Sequence, residues 1–151
     1  MNDLTNTILI VDDNDDDVYA LRRALKKANV TNPHQLVTNG QAAIDYLSGD
    51  GQYSDRNQFP LPFVVFLDLK TPYRDGLEVL TWIREQPTLR DIAVVILTGS
   101  VEEKDHRRAD SLGARSFLLK PPSQHALQTL MESTQGNWLC SAGPATTQTA
   151  N

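Results

Sequence analysis

One cysteine, Cys140, in 151 residues has no partner in the chain, so a disulfide framework is excluded. The histidines are only three, His34, His106 and His125, and they are scattered, which removes a zinc site as well. Positive charge is also in short supply. Fourteen Lys and Arg stand against nineteen Asp and Glu, and the formal net charge of −5 repels an unaided phosphate backbone, arguing against direct nucleic-acid binding. No apolar run approaches the roughly 20 residues of a membrane helix; the longest lie at 63–67 and 92–97, and no charged leader precedes an apolar N-terminal segment. These absences describe a cytoplasmic-type protein. What is present is core-forming material: 40% hydrophobic and 22% charged residues are ordinary for a soluble globular chain, and the length suits one domain with one core.

The hydrophobic pattern alternates between two periods. Thr7-Ile-Leu-Ile-Val11 is a continuous β-branched run that empties into Asp12-Asp13-Asn14-Asp15-Asp16-Asp17, as a buried strand running into an acidic loop does. Val18, Leu21, Leu25 and Ala28 then recur at helical spacing. Acids precede this helix and Arg22, Arg23, Lys26 and Lys27 fill its later turns, a polarity that matches the helix dipole. A short strand is predicted at 34–38 and a second helix after Asn39-Gly40. Residues 49–62, dense in Gly, Ser, Asn, Asp and Pro, carry no period and read as an extended surface loop. Strands follow at 63–67, 92–97 and 116–119, and helices at 76–86, 101–112 and 123–134, the last with Leu127, Leu130 and Met131 inward. Apolar strands each followed by a helix require a parallel sheet covered on both faces. Residues 1–140 form the predicted domain, and 141–151 have the composition of a flexible tail.

In an open parallel sheet the binding crevice lies beyond the carboxyl ends of the strands. Here the first strand ends in Asp12 and Asp13, the third in Asp68, the fourth in Thr98 and the fifth in Lys120. Two carboxylates about 4 Å apart repel by about 4 kcal/mol at an effective dielectric of about 20, so three gathered acids raise a pKa or recruit a cation. Oxygen-only ligands favour a hard divalent ion, and magnesium, which keeps its waters, suits a shallow site with few protein ligands. Asp68 can then act as a nucleophile toward a phosphoryl group, with Mg2+, Lys120 and the Thr98 hydroxyl stabilising the phosphoryl oxygens. The product is an acyl phosphate.

These residues resemble the receiver domains of two-component response regulators. The landmarks are Ile-Leu-Ile-Val-Asp12-Asp13, Phe-Leu-Asp68-Leu-Lys-Thr-Pro72-Tyr-Arg-Asp75-Gly76, Ile-Leu-Thr98-Gly, Leu-Gly-Ala-Arg-Ser-Phe117 and Leu-Leu-Lys120-Pro121. The resemblance spans about residues 7–134. It implies an α/β, CheY-like doubly wound sheet of five parallel strands in order 2-1-3-4-5. It also implies that Asp68 is the phosphoacceptor for a sensor histidine kinase, and that Asp13 and Asp68 bind Mg2+ with Asp12 helping through water and the Lys70 carbonyl as a further ligand. Thr98 and Phe117 are the implied switch pair, read out on the surface of the fourth helix, fifth strand and fifth helix by a partner or a second copy. The long loop at 49–62, Trp138 and the lack of an output domain are similar to stand-alone regulators of phytochrome-type sensor kinases. Lys70 and Ser100 flank the path of the attacking water in the family and are expected to tune dephosphorylation.

Plainer readings compete at several positions. Asp15, Asp16 and Asp17 read best as helix-start acids. An EF-hand is excluded, because counting from Asp12 puts Asp17 and Arg23 where Gly and Glu are needed. Trp82 and Trp138 read as partial core rather than partner anchors, and the three histidines as ordinary residues. Lys104, His106, Arg107 and Arg108, interleaved with acids, form a mixed exposed face. Two rival functions remain: a phosphorylation-independent interaction module of the same fold, and a Mg2+-dependent phosphohydrolase, whose Asp-x-Asp motif here lacks its second acid because Lys70 stands there.

Overall fold

A computed structural model describes residues 7–69, 76–89, 92–99, 103–114 and 116–133. The strands are β1 (Ile8–Val11), β2 (His34–Val37), β3 (Val64–Asp68), β4 (Ala93–Thr98) and β5 (Ser116–Leu119). Between and after them run α1 (Asp15–Lys27), α2 (Gly40–Ser48), α3 (Gly76–Glu85), α4 (Glu103–Ser111) and α5 (Gln124–Ser133). All pairings are parallel and the order is β2-β1-β3-β4-β5. Two helix starts follow directly from sequence, since the side chains of Asn14 and Asn39 accept the backbone N–H of Asp17 and Ala42.

The period of two along each strand divides the core into two layers. Leu9, Val11, Val65, Leu67, Val94 and Ile96 face a cluster containing Ala43 and Leu47 of α2, Leu80 and Ile83 of α3 and Ala109 of α4. Ile8, Ile10, Val64, Phe66, Val95 and Leu97 face Val18, Leu21 and Leu25 of α1 and Leu127 of α5. β1 and β3 are therefore apolar on both faces, which is why they read as unbroken runs rather than alternating ones. Trp82 is half-buried against the first layer, as a partial-core residue should be. The side chains of Leu130 and Met131, the tail, Trp138 and Cys140 lie outside the described residues.

The segment 49–62 differs from the loop expected. It contains a 3-10 turn at Gly51–Tyr53, and Tyr53 and Phe59 pack on Tyr46 of α2, with ring centroids 5.1–5.9 Å apart among the three. The Arg56 guanidinium donates to the carbonyls of Tyr46, Leu47 and Phe59, closing the end of α2. Tyr46 itself is buried and donates its hydroxyl to the Pro60 carbonyl; burial pushes its phenol up to about 12. Tertiary aromatic contacts supply order that no local periodicity announces.

Candidate functional site

Strand register brings the acids together. Val11 pairs with Leu67, so the next residues, Asp12 and Asp68, emerge side by side at the carboxyl edge of the sheet. Thr98 ends β4, and the Lys120 amide donates to the Thr98 carbonyl, which sets Lys120 at the same edge. One carboxylate oxygen from each of Asp12, Asp13 and Asp68 falls within 4.8 Å of the others. An open cavity of about 420 Å³ is lined by Asp13, Asn14, Asp17, Asp68, Thr98, Gly99 and Lys120. Asp12 is buried beneath it and Asp13 is exposed.

The Lys120 ammonium is the electrostatic counterweight. Its Nζ lies 2.9 Å from Asp12 Oδ2, 3.1 Å from Asp68 Oδ2 and 2.8 Å from Asp17 Oδ2. Burial by itself lowers the pKa of Lys120, but its bonds to Asp17, Asp12 and Asp68 outweigh that and raise it. Asp12 is pushed above the usual carboxylate range by burial, against the opposing pull of Lys120 and of the Asn14 N–H on Asp12 Oδ1. Both Asp12 oxygens thus already have protein partners, whereas Asp13 faces solvent. A hard divalent cation fits this all-oxygen donor set.

Asp12, Asp13, Asp68, Thr98 and Lys120 converge as the sequence led us to expect. Phe117 lies apart from the cavity. It pairs with Ile96 in register and packs, partly buried, on the α2–α3–α4 side of the sheet, the side to which the alternation along β4 assigns Thr98. Lys70 and Ser100 lie outside the described residues. Asp17 corrects the sequence reading: it is more than a helix-start acid, because its carboxylate holds Lys120. Its place three residues after the cap Asn14 marks a helix start, but nothing local marks a contact 103 residues away.

Position is also enforced from behind. A Cβ on Gly76 would lie 2.6 Å from the Asp68 carbonyl oxygen and 2.8 Å from Leu69 Cα, so only glycine lets α3 start this close to the end of β3.

Residues 8–132 match the family described as the response regulator receiver domain. This chain belongs to that family. Among curated relatives, the receiver domain is 38% identical over 144 residues to the "Probable methanogenesis regulatory protein FilR2" of Methanothrix harundinacea, covering 91% of this chain and 88% of that one. It is 31% identical over 142 residues to the response regulator Rcp1 of Synechocystis, covering 92% and 95%. The Mn2+-bound structure of Rcp1 superimposes with a TM-score of 0.71 at 30% identity, over 95% of this chain and 99% of that one. The response regulator RPA3017 in red light signaling of R. palustris gives a TM-score of 0.78 at 29% identity, over 87% and 94%. Receiver domains are the signalling switches of two-component systems, and the strand order found here is theirs. No helix among the described residues is long and apolar enough to cross a membrane.

Proposed function

We propose that this receiver domain is a cytoplasmic response regulator that takes a phosphoryl group on Asp68 from a sensor histidine kinase. The observation that carries the reading is the convergence of the Asp12, Asp13 and Asp68 oxygens within 4.8 Å, with Lys120 Nζ 3.1 Å from Asp68. An Asp68 carboxylate oxygen attacks phosphorus while the bond from phosphorus to the imidazole nitrogen of a phosphohistidine breaks; the bonding pair stays on nitrogen. Lys120 and the Thr98 hydroxyl donate to the phosphoryl oxygens as charge gathers there. Asp13 and Asp68, with Asp12 through water and the Lys70 carbonyl, are the groups that would hold Mg2+, which when bound supplies positive charge against the same oxygens. On discharge, water attacks phosphorus, the bond to Asp68 breaks with its electron pair returning to the carboxylate, and inorganic phosphate leaves. The chain is otherwise no enzyme. Thr98 and Phe117, assigned by strand alternation to one side of the sheet, are the proposed relay to the α4-β5-α5 surface, where a partner or a second copy binds. Residues 1–140 constitute the receiver unit and 141–151 a tail. Likeness to the bacteriophytochrome response regulators RtBRR and AtBRR, at 33% and 38% identity with TM-scores of 0.80 and 0.75, favours a phytochrome-type kinase as the donor.

The test is intact mass after incubation with a small phosphodonor and Mg2+. The reading expects the gain of one phosphoryl group, lost in Asp68→Asn. An unchanged mass for the unsubstituted protein overturns it. Phosphotransfer from a phytochrome-type kinase, assayed against an unrelated sensor kinase, tests the choice of donor.

A further inference from the structure

Among the described residues of this site one cation serves three carboxylates, and they are not equivalent. The Lys120 ammonium has three N–H groups, and Asp12, Asp17 and Asp68 stand at 2.9, 2.8 and 3.1 Å from it. Any phosphoryl oxygen that recruits Lys120 must therefore displace one of them. Asp12 is 2% exposed, and stripping its counterion would leave a buried charge unpaired. Asp68 is the acceptor itself. Asp17 is 36% exposed and can exchange the ammonium for water at little cost. Its geometry is nonetheless fixed, because the Asp17 N–H is held by the Asn14 side chain while the Asn14 N–H is held by Asp12 Oδ1.

We infer that Asp17 is a positioning residue that parks Lys120 in the resting state and surrenders it to the phosphoryl group when Asp68 is modified. This deepens the proposed function and rests on it. Asp17 touches neither phosphorus nor its oxygens; it acts through Lys120. Competition for the ammonium slows charging of Asp68, and return of Lys120 to Asp17 favours discharge.

The experiment compares Asp17→Asn with Asp16→Asn, which removes the same charge from the same helical turn at an exposed position. With a small phosphodonor and Mg2+, Asp17→Asn is expected to charge about two- to five-fold faster and to hold its phosphoryl group longer by a similar factor, the range set by a half-exposed ion pair. Asp16→Asn is expected to match the unsubstituted protein, and Asp17→Glu to restore slow charging. Raising salt to about 0.5 M separates contact from field, since a direct contact is screened less than a remote charge. Equal rates in Asp17→Asn and the unsubstituted protein, or equal acceleration by Asp16→Asn, overturn the role of Asp17 while leaving Asp68 as acceptor. Absence of any phosphoryl gain in the unsubstituted protein overturns both.

Discussion

Removing a charge from an ion-binding cluster should stabilise this fold when no ion is present. Asp13 is the informative position, because it is exposed, and its loss breaks no contact with Lys120. Its carboxylate sits within 4.8 Å of those of Asp12 and Asp68. At that separation each pair repels by about 3–4 kcal/mol for an effective dielectric of about 20, and by about 1 kcal/mol for that of water. Exposure puts Asp13 near the lower figure, and the Lys120 charge subtracts from it. Asp13→Asn is therefore expected to gain about 1–2 kcal/mol in chelator, a rise in Tm of roughly 2–8 °C for a domain of this size. Magnesium should reverse the order: at about a hundred times its dissociation constant it stabilises the unsubstituted protein by about 2.7 kcal/mol, and the variant by much less. Thermal melts of both proteins, in chelator and across a Mg2+ series, make the comparison. A variant that melts at or below the unsubstituted protein in chelator would show that the three acids are not in repulsive contact, and the electrostatic account of the site would fail with it.

Gly76→Ala forces a methyl against the Asp68 carbonyl and should cost about 1–3 kcal/mol while slowing phosphorylation; an unchanged Tm together with unchanged charging would refute the close approach. Arg56→Ala leaves the Tyr46, Leu47 and Phe59 carbonyls without their donor and should cost about 2–3 kcal/mol, roughly 4–12 °C in Tm, with charging of Asp68 intact. Arg56→Lys should recover little of this, since an ammonium cannot reproduce the planar fork. His34 is held below its ordinary value of 6.5 by burial and by the nearby Arg22 charge. The unfolded chain therefore takes up its proton first, and stability is full above 6.5 and lost as pH falls from there toward the folded value. Melts of the unsubstituted protein and His34→Gln between about pH 7.5 and 5.5 should diverge as pH falls; parallel curves would count against this.

The strands with two buried faces were the most legible elements. A residue run such as Ile8–Val11 or Val64–Asp68 can be satisfied only between two layers, so its period, or lack of one, already states its surroundings. The acids that end these runs inherit their place from register, which made Asp12, Asp13 and Asp68 readable as a group. The segment 49–62 was not legible, because its order comes from rings that meet across the chain and from Arg56 acting on carbonyls of another element. Asp17 escaped for a related reason. A carboxylate in a first helical turn is already accounted for by the dipole, and that sufficient local cause hides a distant partner.

Periodicity and composition by themselves determined an α/β chain with a parallel sheet covered on both faces and its acidic strand ends on one edge, since burial of apolar strands depends on which residues alternate. The order of the strands was implied by resemblance and is borne out by the pairings. Only the tertiary structure decided how one ammonium is divided among Asp12, Asp17 and Asp68, because ion pairing depends on distances of a few ångströms between segments that the chain keeps far apart.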